Sequence, residues 1–329
     1  MLRLTPFTYV RPTSVQDAVV ACERNKGSTA LMGGGTDLLP NIKHRLAEPK
    51  FLVGLRSVPE MRGIAGQDDG WLRIGAAETL SCLQGSDIVR TRYPALADCA
   101  SLISTPQVQR QGTIGGNICL DVRCNYYNQS AHWRKAVGYC MKKDSEICRV
   151  APGSDRCWAV SSADTVPVLI AHQAEICIAG AEGERWEPIG GFYRDDGLVP
   201  ITLRPGEILT AVRLPPPSLR VVYSKLRIRM SFDFPLVGVA TGVAFNSDGT
   251  VKLARIVVTA VGSHPIEVTE AEDILVGNRL EADAILAAGE RVFRAVHPMD
   301  NTEGSIPHRK RMARVYVERS LRAFAAGAI

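Results

Sequence analysis

The chain has 329 residues, 46% of them apolar, and carries 39 basic against 34 acidic side chains for a formal charge of +5. That length allows two or three packed domains. Mean hydropathy is near zero, and no apolar run approaches the roughly 18 residues of a membrane span, while the basic residues are scattered rather than striped, which argues against nucleic-acid binding. Met1 to Pro6 contain no apolar leader stretch, and nine cysteines, an odd number, make a poor disulfide framework, so the expected address is the cytoplasm.

Ser14 with Asp17 three residues on makes a capping pattern, and Val15, Ala18, Val19 and Cys22 then share one face, which predicts a helix over residues 14–24. A short strand over Thr29 to Met32 runs into Gly33-Gly34-Gly35-Thr36-Asp37, and Leu39, Ile42 and Leu46 follow at helical spacing. Strand, glycine loop and helix suit a phosphate, because such a turn leaves backbone N–H groups unpaired. Phe51 to Val58 and Trp71 to Ala77 read as strands, and Leu96, Cys99, Ala100 and Ile103 mark a helix. A second glycine loop spans Gly112 to Asn117.

From about residue 119 to residue 160 periodicity vanishes and Cys, Arg, Lys and Tyr take over. So long a structureless stretch in a compact domain is uncommon and usually functional. Order returns at Val166 to Ile170 and in a strand over Glu175 to Ile178. Pro215-Pro216-Pro217 can neither continue a helix nor donate to a sheet, which places a domain boundary there. The units are then 1–217, with lobes of about 1–58 and 59–217, and 218–329. In the second, Val237 to Phe245 and Val251 to Val261 flank a hairpin turn, and the remainder is helical, with Ala313, Val317, Leu321 and Phe324 on one face.

Glycine lets a backbone approach a pyrophosphate closely, and two such loops could grip one dinucleotide. Neither fits the Rossmann G-x-G-x-x-G pattern or the P-loop, and a single cluster of this kind is more commonly a tight turn. Hydrolase signatures are missing as well: there is no Gly-x-Ser-x-Gly and no His-Glu-x-x-His.

The ordered set Gly33-Gly34-Gly35-Thr36-Asp37, Arg73-Ile74-Gly75-Ala76-Ala77-Glu78-Thr79-Leu80 and Gly112-Thr113-Ile114-Gly115-Gly116-Asn117 resembles the FAD subunits of the xanthine dehydrogenase and carbon monoxide dehydrogenase family. Ser161 to Pro167 and Arg204-Pro205-Gly206-Glu207-Ile208-Leu209 extend the likeness. The resemblance implies an α+β fold: a two-lobed FAD-binding domain with a smaller C-terminal domain of antiparallel strands and helices. It assigns Leu31, Met32, Gly33, Gly34, Gly35, Thr36, Asp37 and Leu38, with Thr113, Gly115, Gly116 and Asn117, to the FAD pyrophosphate and ribityl chain. Asp164 falls at the adenosine end, and Ile208, Leu209 and Lys225 lie nearer the isoalloxazine or its support. Plainer readings stand beside these: a helix cap for Asp164, strand core for Ile208 and Leu209, and a solvated charge for Lys225.

Between the second loop and Asp164 this chain inserts about forty residues relative to that family. Within them lie Cys124, Cys140, Cys148 and Cys157, spaced C-x15-C-x7-C-x8-C without a C-x2-C knuckle. On ligand count, structural zinc, an iron–sulfur cluster and unligated thiols stand level. Cys119 belongs to the glycine segment, His132 is a distant fifth ligand, and Cys22, Cys82, Cys99 and Cys177 sit in apolar patterns that suggest core. Beside a flavin in a redox chain a one-electron centre adds function, whereas zinc cannot change oxidation state. The insertion is similar to that of the 4-hydroxybenzoyl-CoA reductase branch, which implies a 4Fe-4S cluster on these four thiols.

The same resemblance implies electron relay rather than substrate chemistry, so no general acid or base is assigned. Reduced ferredoxin would be the donor, molybdopterin would sit in a large partner subunit and 2Fe-2S clusters in a small one, in a dimer of heterotrimers. An NAD-linked hydroxylase subunit without the extra cluster is the competing reading, and a non-redox scaffold the third.

Overall fold

The computed structural model describes residues 2–229 and 231–329. Strand β1 (Thr8–Val10), helix α1 (Val15–Arg24), β2 (Thr29–Met32), α2 (Leu38–Lys43) and β3 (Phe51–Gly54) form a small lobe. Its three strands are parallel, in the order β1-β3-β2. Helix α1 starts where the capping pattern places it: the Ser14 hydroxyl accepts the Asp17 N–H at 3.0 Å, and Ala18, Val19 and Cys22 are buried. The predicted strand from Phe51 stops at Gly54, because Leu55 to Val58 turn back on themselves. Leu46 lies past the end of α2 and packs with the cysteine-rich segment instead.

The chain then builds β4 (Ile64–Gly66) and β5 (Leu72–Gly75), followed by α3 (Leu80–Gly85), α4 (Asp87–Arg92), α5 (Pro94–Ser101), α6 (Pro106–Gln109) and α7 (Ile114–Ile118). In the inserted segment only α8 (Ala131–Ala136) is regular; α9 (Thr165–Ala171), β6 (Glu175–Gly180), β7 (Gly183–Pro188) and β8 (Ile208–Leu214) complete an antiparallel sheet ordered β4-β5-β8-β6-β7. Gly115 and Gly116, expected in a loop, lie inside α7. Thr113 caps that helix, its hydroxyl accepting the Gly116 N–H at 3.0 Å. A methyl on Gly115 would meet Ala76 at 2.7 Å, so glycine here permits α7 to sit on the end of β5.

After the three prolines come β9 (Arg220–Leu226), β10 (Val237–Phe245), β11 (Val251–Thr259), β12 (Ile266–Glu267), α10 (Thr269–Leu275), α11 (Ala282–Ala295) and α12 (Ile306–Ala325). The sheet β12-β11-β10-β9 is antiparallel, and the β10–β11 hairpin is the one the sequence predicts; β12 interrupts what reads as a purely helical remainder. Ala313, Val317, Leu321 and Phe324 are buried against this sheet with Val292 and Leu275. The whole is a two-domain fold of helices on antiparallel sheets, with one parallel sheet at the amino end. No helix among the described residues is long and apolar enough to cross a membrane.

Candidate functional site

A cleft of ≈ 280 Å³ opens between the β2–α2 loop, the α7 segment, the start of α9 and the β9–β10 connection. Leu31 to Leu38, Thr113, Gly116, Asn117 and Asp164 line it, as do Leu80, Ser104, Cys119, Asp121, Tyr127, Ser162, Phe232, Asp233 and Phe234. From Gly33 to Asp37, no backbone N–H donates to a protein acceptor among the described residues. Gly35 is buried and its neighbours are half-buried, so the run has N–H donors that an anion in the cleft could take. The Ser104 and Ser162 hydroxyls are likewise buried without a partner among the described residues, and both residues line the same cleft.

The two glycine segments touch. A methyl on Gly33 would stand 2.5 Å from the Thr113 hydroxyl, and one on Gly34 would strike the Gln111 backbone. Asn117 ties the second segment to α9: its side-chain oxygen accepts the Thr165 N–H at 3.1 Å and the Thr165 hydroxyl at 2.7 Å. Asp37 holds no helix cap; its carboxylate takes the Arg123 guanidinium and the Asn41 amide, 2.9 Å away, and Arg123 stacks 4.1 Å from the centre of the Phe234 ring. Burial pushes the Cys119 thiol up to about 12, which makes it a neutral wall residue at ordinary pH.

Beside the cleft the inserted segment closes on itself. Cys124, Cys140, Cys148 and Cys157 line one small cavity together with Tyr126, Tyr127, Met141, Lys142, Arg149, Val150 and Ala159. All four thiols are less than a tenth exposed. The segment is pinned at several points: Arg123 and Val160 exchange backbone hydrogen bonds, the Cys157 N–H donates to Asp196 at 3.0 Å, and the Cys157 carbonyl accepts from Gly197. Buried Arg134 donates to the carbonyls of His44 and Arg45 at the end of α2. Burial drives the Cys124 thiol to about 12 and Cys157 to about 11. Among the described residues no three His, Cys, Asp or Glu side chains converge on a single ion; the thiols surround a cavity rather than a point. His132 is exposed on α8 and away from it.

Residues 5–217 match the family model for the FAD binding domain in molybdopterin dehydrogenase. The chain belongs to that family. Residues 222–324 match the CO dehydrogenase flavoprotein C-terminal domain. The carbon monoxide dehydrogenase medium chain of Hydrogenophaga pseudoflava is 30% identical over 96% of both chains, and the xanthine dehydrogenase FAD-binding subunit of Escherichia coli O157:H7 is 27% identical over 91% of this chain and 89% of that one. A solved structure of the H. pseudoflava enzyme, in a form lacking the Mo-pyranopterin moiety, superposes with a TM-score of 0.80 at 28% identity, covering 98% of each chain. The chain is therefore an FAD-binding oxidoreductase subunit.

Within this flavoprotein four of the expected cofactor residues stand elsewhere. Ile208 and Leu209 are buried in β8 and paired with Ala179 and Ile178 of β6, so they are sheet core and do not line the cleft. Gly115 faces Ala76. Lys225 is neither solvated nor at the cleft: its side chain is 1% exposed, and its ammonium lies 3.0 Å from the Asp164 carboxylate and donates to the Leu102 carbonyl at 3.1 Å. Asp164 also accepts from the Tyr223 hydroxyl at 2.8 Å, so the cleft meets a carboxylate already held from behind. Cys82, expected in the core, is exposed on α3, whereas Cys22, Cys99 and Cys177 are buried. Ser104, Ser162, Asp121, Tyr127 and the Phe232 to Phe234 segment join the cleft through long-range packing, and no local motif marks them.

Proposed function

We propose that the chain is the electron-relay subunit of a 4-hydroxybenzoyl-CoA reductase-type enzyme, with FAD in the cleft and a 4Fe-4S cluster on Cys124, Cys140, Cys148 and Cys157. The observation that carries this reading is the gathering of four buried thiols, far apart in the sequence, around one cavity that shares a wall residue, Tyr127, with the cleft. For FAD, the N–H groups of Gly33 to Asp37 suit the pyrophosphate. Thr113, Gly116 and Asn117 fix the second wall, and the free Ser104 and Ser162 hydroxyls supply further polar partners. When bound, the cluster supplies one-electron and the flavin both one- and two-electron chemistry. The protein's own residues hold the groups at fixed separation, exclude water and set the local charge.

Relatives named as medium chains and FAD-binding subunits support a place beside a molybdenum-bearing large subunit and a small 2Fe-2S subunit. In that assembly, a dimer of heterotrimers in the cytoplasm, electrons from reduced ferredoxin reach molybdenum through this chain. There two electrons and two protons replace the phenolic hydroxyl of 4-hydroxybenzoyl-CoA by hydrogen and release water.

The full chain purified anaerobically is expected to carry iron and acid-labile sulfide in equal amounts alongside its flavin, and Cys148→Ser to lose the iron while keeping the flavin. Flavin without iron in the unmodified chain would overturn the cluster and leave an ordinary flavin subunit of a dehydrogenase. Zinc in place of iron would do the same.

A further inference from the structure

The thiol cavity and the flavin cleft are separated by a network of three side chains. Tyr127 borders both, Asp121 borders the cleft, and Lys142 borders the thiol cavity. The Lys142 ammonium lies 3.1 Å from one Asp121 carboxylate oxygen and donates to the Gly197 carbonyl at 2.6 Å; the Tyr127 hydroxyl donates to the other Asp121 oxygen at 3.0 Å. Lys142 also sits 5.1 Å from the centre of the Tyr127 ring. Only a tenth of the lysine side chain is exposed and a third of the aspartate. The pair thus joins a lysine on the thiol cavity to an aspartate on the flavin cleft. The Val122 N–H, 2.9 Å from Asp121, further holds the carboxylate in place.

We propose that the Lys142–Asp121 pair sets the reduction potential of the centre held by the four thiols. The inference rests on the cluster reading above. Reduction adds one negative charge to a thiolate-bound centre. A cation in a half-dry wall favours the more negative, reduced form, and a carboxylate behind it disfavours that form, because solvent screens neither charge well there. Arg149 also borders the cavity, but its guanidinium is turned to the Tyr139 and Gly138 carbonyls. Lys142 is therefore the cation placed to do this, and Tyr127 is a positioning residue that holds Asp121.

The test uses the full chain purified anaerobically, as the unmodified protein and as Lys142→Met and Asp121→Asn. Iron, sulfide and flavin are measured first, and the midpoint potential of the iron–sulfur signal is then read by electron paramagnetic resonance during a redox titration. Lys142→Met is expected to move that potential down and Asp121→Asn to move it up, each read against its own measured iron and flavin content. Opposite signs are what charge predicts; general loosening of the wall would move both variants the same way. Equal potentials in all three proteins, or shifts of one sign, overturn the inference and leave the cluster intact. An unmodified chain without iron overturns the cluster reading and this inference with it. Should Lys142→Met lose iron, Asp121→Asn decides alone: an upward shift supports the tuning role and an unmoved potential overturns it.

Discussion

Gly34→Ala is expected to emerge from purification with most of its flavin absorbance gone and with a lowered melting temperature. The reason is backbone meeting backbone. A methyl at residue 34 would fall on the Gln111 carbonyl, with the carbonyl carbon 2.5 Å away and the Gly112 α-carbon 2.9 Å away. No rotamer relieves that contact, so the β2–α2 loop has to lift off the segment leading into α7. The lift separates the two walls of the cleft and disperses the N–H groups of Gly33 to Asp37. Overpacking of this kind costs about 1–3 kcal/mol, occasionally more. Gly191→Ala is the control, since nothing among the described residues stands within 4 Å of its added carbon. The flavin-to-protein ratio after desalting and the melting temperature are the measurements; Gly34→Ala retaining full flavin would remove this loop from the FAD site.

Lys225→Met should be among the most destabilising single changes in the chain. It strands the Asp164 carboxylate, 4% exposed, with the Tyr223 hydroxyl as its remaining partner. Breaking a buried pair from one side costs about 3–5 kcal/mol. The pH dependence carries a definite sign. Burial, the larger influence, pushes the Asp164 carboxyl above its ordinary range, and Lys225 and Tyr223 pull it partly back. Without Lys225 the folded value climbs further. A carboxyl raised on folding contributes stability that is present while it is protonated and lost as pH rises through its folded value. The deficit of Lys225→Met against the unmodified chain should therefore be smallest in acid and widen as pH rises. Denaturant melts across the acidic to neutral range measure this, and a deficit independent of pH would show that lost packing rather than stranded charge is responsible. Asp164→Asn combined with Lys225→Met should recover part of the loss, because the neutral amide needs no counter-charge.

Much of the local architecture is legible in the residues themselves. Ser14 and Asp17 announce α1 because a cap is an interaction across three residues. The alternating apolar strands around Asn246 to Thr250 announce the β10–β11 hairpin because turn and strands are contiguous. Gly33-Gly34-Gly35 announces a close approach, though not what approaches. The misplacements share one physical source. Ile208 and Leu209 look alike whether they face a flavin or a sheet, and β6, about thirty residues earlier, decides for the sheet. Lys225 reads as a surface charge until β9 brings it against Asp164. Cys82 follows an apolar pattern on α3 yet turns outward, because a six-residue helix packed on one side buries few of its positions.

By itself the sequence determined helix α1, the β10–β11 hairpin, the buried face of α12, the family of FAD-binding subunits to which the chain belongs, and the presence of four thiols in an insertion. The local elements are set by short-range sterics and hydrophobic periodicity, and the family by the likeness of the ordered glycine motifs, all of which travel with the chain in any conformation. Only the tertiary structure decided that the four thiols share one cavity, that Tyr127 borders both that cavity and the cleft, and that Lys142 of the thiol cavity pairs with Asp121 of the cleft. Those facts depend on contacts between residues distant in the sequence. Such contacts form only when burial of the whole core offsets the entropy of closing the loops between them.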